Sequence, residues 1–178
     1  NQVRLHNAEF LHNLGFRGQN MRIAVMDAGF RNLLSLPTFD SIRNNGQVLE
    51  TWDYVDQQAS VDEDDSHGMK CLSTIAANMP GNFVGTAPGA SFLLYRTEDA
   101  FSEYPVEEQN WAAAAERADS LGADLFSTSL GYTSFDNPQF DYSYSDMTGN
   151  RTLMARAANL AATRRTTMTD FPDSPVSF

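Results

Sequence analysis

The sequence predicts an α/β fold in three layers, a mostly parallel sheet flanked by helices. Three observations point to it. Short apolar runs alternate with longer stretches of helical periodicity along the chain. The apolar runs end on turn-forming residues, as at Asp27-Ala28-Gly29 and at Gly131. No repeat or low-complexity linker divides the 178 residues, a length that suits one domain with its own core. Strand–helix–strand alternation of this kind favours parallel pairing, and it places the functional crevice at the carboxyl ends of the strands.

Each element follows from local pattern. Residues 5–14 read as a short amphipathic helix, broken by Gly15 and Gly18, and residues 1–20 form an N-terminal lead-in. Residues 22–26, Arg-Ile-Ala-Val-Met, read as a buried strand with Asp27 at its carboxyl end. Residues 47–55 hold a second strand, and an acidic loop follows at 61–65. From His67, Leu72, Ile75, Ala76 and Met79 share a helix face until Pro80 stops the helix. Residues 91–96 are the next strand. Residues 106–121 form a strong helix: Glu107 and Glu108 complement its dipole, and Trp111, Ala114, Ala115, Ala118 and Leu121 form its apolar stripe. Gly122 ends it. Residues 124–130 are a strand, and residues 151–163 a last helix with Leu153, Met154, Ala157, Leu160 and Ala161 on its buried face. Residues 164–178 form a tail with no apolar strand and no Gly.

Composition narrows the function. The chain is 42% apolar and 20% charged, values of a globular protein rather than a disordered one. Its net charge of −11 and lack of a basic face exclude nucleic acid as a partner. No apolar run is long enough to span a bilayer. Lys70 is the sole lysine; an acid-rich, lysine-poor surface fits either a salty habitat or biased base composition. Cys71 is the sole cysteine, so no internal disulfide forms. The chain opens at Asn1 without an initiator Met or a signal core, and so reads as a processed or trimmed chain.

Two polar residues stand at element ends. Asp27, alone, reads as a capping or turn residue, and His67, alone, as a helix cap or a surface residue. Together in an α/β sheet they fit one job: an Asp that holds a His in one tautomer, so that the His acts as a base at neutral pH. Gly68 lets another group approach closely.

Four segments then carry a resemblance. They are Ile23-Ala24-Val25-Met26-Asp27-Ala28-Gly29, Ser66-His67-Gly68-Met69-Lys70-Cys71-Leu72, Val84-Gly85-Thr86-Ala87-Pro88-Gly89-Ala90, and Asp124-Leu125-Phe126-Ser127-Thr128-Ser129-Leu130-Gly131. In order and spacing they resemble the Asp strand, the His-Gly helix, the Gly-Val-Ala-Pro turn and the substrate strand of the subtilisin-like serine protease (subtilase) family, across residues 15–163. The resemblance implies a subtilisin-like fold and a serine endopeptidase. In it Asp27 orients, His67 is the general base, and Ser129, Leu130 and Gly131 bind an extended polypeptide by strand addition. It implies no cofactor for the chemistry and a secreted or cell-surface location.

Departures from the family pattern are equally specific. Met69 and Leu72 are bulkier than the family's usual residues, and Ser127 stands where Asn is frequent. Past Arg164-Arg165 neither the Ala-Gly-Asn segment that helps bind the oxyanion nor the Gly-Thr-Ser segment that bears the nucleophile can be placed. Gly85-Thr86-Ala87 is a structural turn, not a nucleophile site. The domain is therefore expected to be partial over 1–178 and inactive alone, with an exposed sheet edge: a truncation, a product of a reading-frame change near Arg164, or one half of a split protease with a complementing C-terminal segment. The alternative is a non-catalytic relative that binds peptides or a partner.

Weaker signals remain. Metal ligands are unassigned: Asp62, Glu63, Asp64 and Asp65 suit either a structural calcium or a solvated acidic loop. Cys71 shares a helix face with His67; a small core residue is the default, and a thiol nucleophile or metal pair the alternative. His6 and His12 read as surface groups. Tyr132, Phe135, Phe140, Tyr142 and Tyr144 either line a cleft or pack their loop.

Overall fold

The computed structural model describes residues 2–163 and 167–169. Two short helices, α1 (Gln2–Leu5) and α2 (Ala8–Asn13), lead into the central strand β1 (Arg22–Asp27). Helix α3 (Asp40–Asn44) and strand β2 (Val48–Asp53) follow, then helix α4 (His67–Ala76) and a hairpin of β3 (Asn78–Met79) and β4 (Phe83–Val84). Strand β5 (Ser91–Arg96), helix α5 (Val106–Ser120), strand β6 (Leu125–Thr128), helix α6 (Leu153–Thr163) and strand β7 (Thr167–Thr169) complete the order.

Among the described residues the main sheet has five strands in the order β2-β5-β1-β6-β7, and every pair in it is parallel. Side chains of a strand alternate between faces, and both faces here are covered. Ile23 and Val25 of β1, with Phe92 and Leu94 of β5, pack beneath Leu72 and Ala76 of α4 and Ile42 of α3. Ala24 and Met26, with Leu93 and Tyr95, meet Trp111, Ala114 and Ala118 of α5 and Met154, Ala158 and Ala161 of α6. The predicted three-layer α/β architecture is thus present, with the sheet between two helical layers.

Several local expectations need correction. The helix expected over 5–14 is split in two, because Asn7 takes a left-handed conformation (φ 56°) that Asn tolerates and that ends a helix. The helix from His67 ends at Ala76, before Pro80 is reached. Ala77 turns to ψ 138°, and Met79 joins the hairpin instead of the helix face. In α6, Leu153 and Leu160 face solvent, because the stripe Met154, Ala158, Ala161 takes the α5 contact. In the tail, read as having no apolar strand, Thr167–Thr169 form the short polar strand β7, which pairs with β6 from Leu125↔Thr167 to Ser127↔Thr169. Backbone pairing needs no apolar side chain, and a threonine-rich segment suits an added strand.

Glu107 and Glu108 do more than complement a dipole. Both are buried. Glu107 accepts from the backbone N–H groups of Asp99 (2.9 Å) and Tyr104 (3.2 Å), which ties down the loop ahead of α5. Glu108 accepts from the Tyr142 hydroxyl (2.6 Å) and from the N–H of Met154 (2.8 Å), and so caps α6 from a neighbouring helix. Tyr132, Phe135 and Tyr142 of the aromatic loop pack inward, the last two edge-to-face at 5.6 Å, while Phe140 and Tyr144 are exposed. Gly85 abuts the Ile75 carbonyl so closely that a Cβ would lie 2.3 Å from its oxygen, as a structural turn requires.

Trp111 is the largest fully buried side chain; its indole N–H donates to Thr128 Oγ1 at 3.1 Å, and its ring meets Phe126 edge-on. Trp111→Ala is expected to lower the unfolding free energy by about 3–5 kcal/mol, read from urea denaturation.

Candidate functional site

Three parallel strands, β5, β1 and β6, end side by side, with Asp27 opposite Arg96 and Met26 opposite Thr128. Asp27 is the last residue of β1 and is fully buried. Its Oδ1 accepts from the Ala28 N–H at 2.8 Å and from the His67 ring at 2.7 Å. An ionised carboxylate only accepts, so Nδ1 donates a proton to it, and in the neutral ring Nε2 keeps its lone pair. The His67 side chain is 47% exposed, which leaves that nitrogen within reach of a reacting group.

The contact between strand end and helix start depends on backbone approach. A Cβ on Gly68 would lie 2.7 Å from both Asp27 Cβ and the Gly29 carbonyl oxygen. Gly29 has φ +144°, and a Cβ there would lie 2.7 Å from the Asp65 carbonyl oxygen. Asp65 in turn accepts the His67 N–H at 2.6 Å through Oδ1 and thereby satisfies one open donor of the first turn of α4. Sequence, strand end and helix cap therefore fix the imidazole from several sides.

Burial pushes the Asp27 carboxyl up from its ordinary pKa. The His67 hydrogen bond and charge, the Ala28 N–H and the Cys71 thiol pull it back. Cys71 is only partly buried, and its Sγ lies 3.8 Å from His67 Nδ1 and 3.9 Å from Nε2. The expected small core residue is thus a thiol against the imidazole.

Ser129, Leu130 and Gly131 follow β6 at the same edge. Ser129 and Gly131 are exposed, and Leu130 is turned into the core. The structure brings these three to the edge that holds Asp27 and His67.

The acidic loop 61–65 does not point its side chains at one spot. Asp62 accepts the Leu34 N–H, Glu63 accepts from Gln58 and Ser60, Asp65 caps α4, and Asp64 approaches Arg96. Arg96, which sequence reading passed over, is buried and binds Asp53 at 2.9 Å and Asp56 at 2.6 Å. Asp64 lies 3.0 Å from the same nitrogen, Nη1, outside hydrogen-bond geometry, and Asp99 lies 3.9 Å from Nη2. Glu98 was missed as well. It is half-buried among Glu103, Glu107, Asp27 and Asp65, and burial first, then these charges, push its pKa up to about 8. A charged pair straddling the end of a strand, Arg96 and Glu98, was the available signal.

Comparison with known proteins finds relatives of the chain. A model of the subtilase family matches residues 18–173. Minor extracellular protease Vpr of Bacillus subtilis (strain 168) is 32% identical over 136 residues, which cover 71% of this chain and 16% of that protein. Thermitase of Thermoactinomyces vulgaris is 31% identical over 121 residues, which cover 65% of this chain and 39% of that protein. The chain therefore spans well under half the length of these relatives. The crystal structure of fervidolysin from Fervidobacterium pennivorans, a keratinolytic enzyme related to subtilisin, superposes with a TM-score of 0.60. The two are 24% identical, over 87% of this chain and 21% of that one, a likeness of fold.

Two predictions follow from the packing and charge of the site. Gly68→Ala is expected to cost about 1–3 kcal/mol in urea unfolding and to disturb the ring-nitrogen NMR signals of His67, because backbone has to move. Glu98 binds its proton more tightly folded than unfolded. Stability is therefore expected to fall as pH rises from about 4.5 to about 8 and to level off above. Glu98→Gln removes that slope, so its urea midpoint relative to the parent rises across the same window.

Proposed function

The chain belongs to the subtilase family of serine peptidases, and on that premise we propose that it supplies the base half of an endopeptidase site. The observation that carries the reading is the 2.7 Å hydrogen bond between buried Asp27 and half-exposed His67 at the carboxyl edge of a parallel sheet. Asp27 holds the Nδ1–H tautomer and stabilises the imidazolium. Nε2 takes the proton of a nucleophilic hydroxyl and returns it to the leaving amine. Ser129 and Gly131 present exposed backbone to an extended polypeptide, and Leu130 anchors that segment in the core.

The nucleophile and the oxyanion-binding Asn come from a complementing C-terminal segment, and the chain alone is inactive. Loss of a triad member costs about 10⁴ to 10⁶ in turnover, and loss of an oxyanion donor about 10² to 10³. The chemistry needs no cofactor. A secreted or cell-surface location accords with the extracellular relative.

The test has two arms. The purified 178-residue chain is expected to leave a fluorophosphonate probe unreacted; covalent labelling would show an activated Ser within it. The chain joined to the C-terminal remainder of a subtilase that bears the nucleophile is expected to cleave an unfolded polypeptide such as casein. His67→Ala should lower that rate about 10⁴-fold or more. Peptide binding without hydrolysis in the joined protein would favour the non-catalytic relative instead.

A further inference from the structure

Glu98 and the acids around it take no part in the chemistry described above, yet they stand beside it. The Thr97 N–H donates to the Asp27 carbonyl oxygen at 3.0 Å, and Asn110 of α5 donates to the Thr97 carbonyl at 3.4 Å. Glu98 is thereby set one residue beyond a backbone bond to the end of β1. Tyr132 directly follows Gly131 past the end of β6. We propose that Glu98 and Tyr132, with Glu103 and Glu107, form a subsite for the positively charged side chain of a lysine or arginine in the extended polypeptide bound along residues 129–131. As an assignment of substrate class this rests on the peptidase reading above; as a cation-binding site it stands on its own geometry.

The shape of the cluster is the first support. Glu98 and Glu103 are half-buried, whereas Glu107 is buried, so the cluster is open on one side and closed on the other. Phe101 and Tyr104 of the same loop are exposed, and such surface suits the aliphatic stem of a long cationic side chain. Asp27 and Asp65 add negative charge from β1 and from the turn ahead of α4. Arg96 is turned to Asp53 and Asp56, and His67 to Asp27. Neither an ion pair nor a hydrogen bond reaches the Glu98 carboxyl among the described residues.

Tyr132 supplies the second support, independent of the acids. It is 5% exposed, and its hydroxyl is buried without a hydrogen-bond partner among the described residues. Burial first, then Glu98, Glu107 and Glu103, keep the phenol protonated, so the hydroxyl faces the same carboxyl groups. A buried, unsatisfied oxygen is costly, and an ammonium or guanidinium N–H would satisfy it. A metal ion fits less well, because the ligand atoms of Glu98, Glu103 and Glu107 do not converge within 4.8 Å of one another. A side chain with several N–H donors spans acceptors that are spaced apart.

Protonation gives the site a signature. Glu98 holds its proton up to about pH 8, because burial and then Glu103, Glu107, Asp27 and Asp65 oppose its charge. A bound cation favours the ionised form. Below about pH 8, binding therefore expels a proton from Glu98 to solvent, and the preference for a cation grows as pH rises through that range. The lysine itself stays charged, with an ordinary pKa of about 10.4.

The purified chain is titrated with a fluorescent peptide of alternating Ala and Lys, and with the same peptide carrying norleucine in place of Lys. Alternation puts every Lys on one face of the extended peptide, and a one-residue shift of register offers that face to either side. Above about pH 8 the lysine peptide is expected to bind about 10- to 100-fold more tightly, the range of a hydrogen bond between charged groups. The ratio should fall as the pH drops to about 6, and calorimetry at about pH 7 in buffers of different ionisation enthalpy should show proton release with the lysine peptide alone. Glu98→Gln, checked for fold by circular dichroism, should remove most of the ratio and most of the proton release. Tyr132→Phe should lower the ratio severalfold. Glu116→Gln, which removes the same charge from the exposed face of α5, should leave the ratio in place. Equal affinity for the two peptides in the parent would overturn the subsite. So would a ratio that Glu98→Gln leaves intact, or one that Glu116→Gln lowers as much, which marks the net charge acting alone. If Glu98→Gln unfolds, an unchanged ratio in Tyr132→Phe overturns it instead. In the joined protein the same preference is expected in kcat/KM. Cleavage of casein without that preference refutes the subsite and leaves the peptidase reading standing. Failure on casein refutes that reading, while the binding ratio still decides the subsite.

Discussion

The close approach of two backbones, the end of β1 and the first turn of α4, governs the arrangement around it. A carboxylate taken wholly out of water costs several kcal/mol unless charge and hydrogen bonds compensate it. Asp27 meets that cost with the Ala28 N–H and the His67 ring, and the ring reaches it only because Gly68 carries no Cβ. The strand that carries Asp27 is the middle one of the five described, hydrogen-bonded on both sides, so the carboxylate is anchored at the centre of the sheet. Orientation of the imidazole is thus inherited from the sheet, and Asp65 at the helix start only refines it.

Charge around this edge is unevenly matched. Arg96 draws four aspartates around one guanidinium, and beyond it Glu98, Glu103 and Glu107 crowd the loop ahead of α5. The raised pKa values of Glu98 (about 8) and Glu107 (about 7) both follow first from burial and then from neighbouring like charges. Glu98 and Glu107, counted as charged in the formal net charge of −11, are thus held partly protonated at neutral pH, so this edge is less negative than its composition suggests.

Much of this was legible in the sequence, for identifiable reasons. The buried strand at 22–26 announces itself by a continuous apolar run, and Asp27 by the turn residues after it. His67 was readable because Gly follows it and a helical stripe begins there. Features that join distant segments were not readable. Glu108 looks like any acid in a first helical turn, and its role as a cap for α6 exists only because residue 154 folds beside it. Arg96 looks like the polar end of a strand until Asp53, Asp56 and Asp64 gather around it. The break at Asn7 rests on a backbone angle that Asn permits without requiring it, and β7 rests on a free sheet edge beside β6 rather than on its own side chains. Local pattern encodes elements; the partners across elements are set by topology.

The place of β1 in that topology bears on how the molecule is made. Arg22 pairs with Ser91, and Ile23 with Leu125, so this buried strand is synthesised long before either neighbour exists. At ordinary translation speeds it waits several seconds, with Ile23, Val25 and Met26 uncovered and both edges unpaired. A parallel sheet built from such distant pairings gains little until its loops have closed, so it assembles late and slowly. The residue that completes β1, Asp27, thereby acquires its surroundings only when the sheet closes, and a functional His67–Asp27 pair reports that the nascent chain has threaded its strands in the right order.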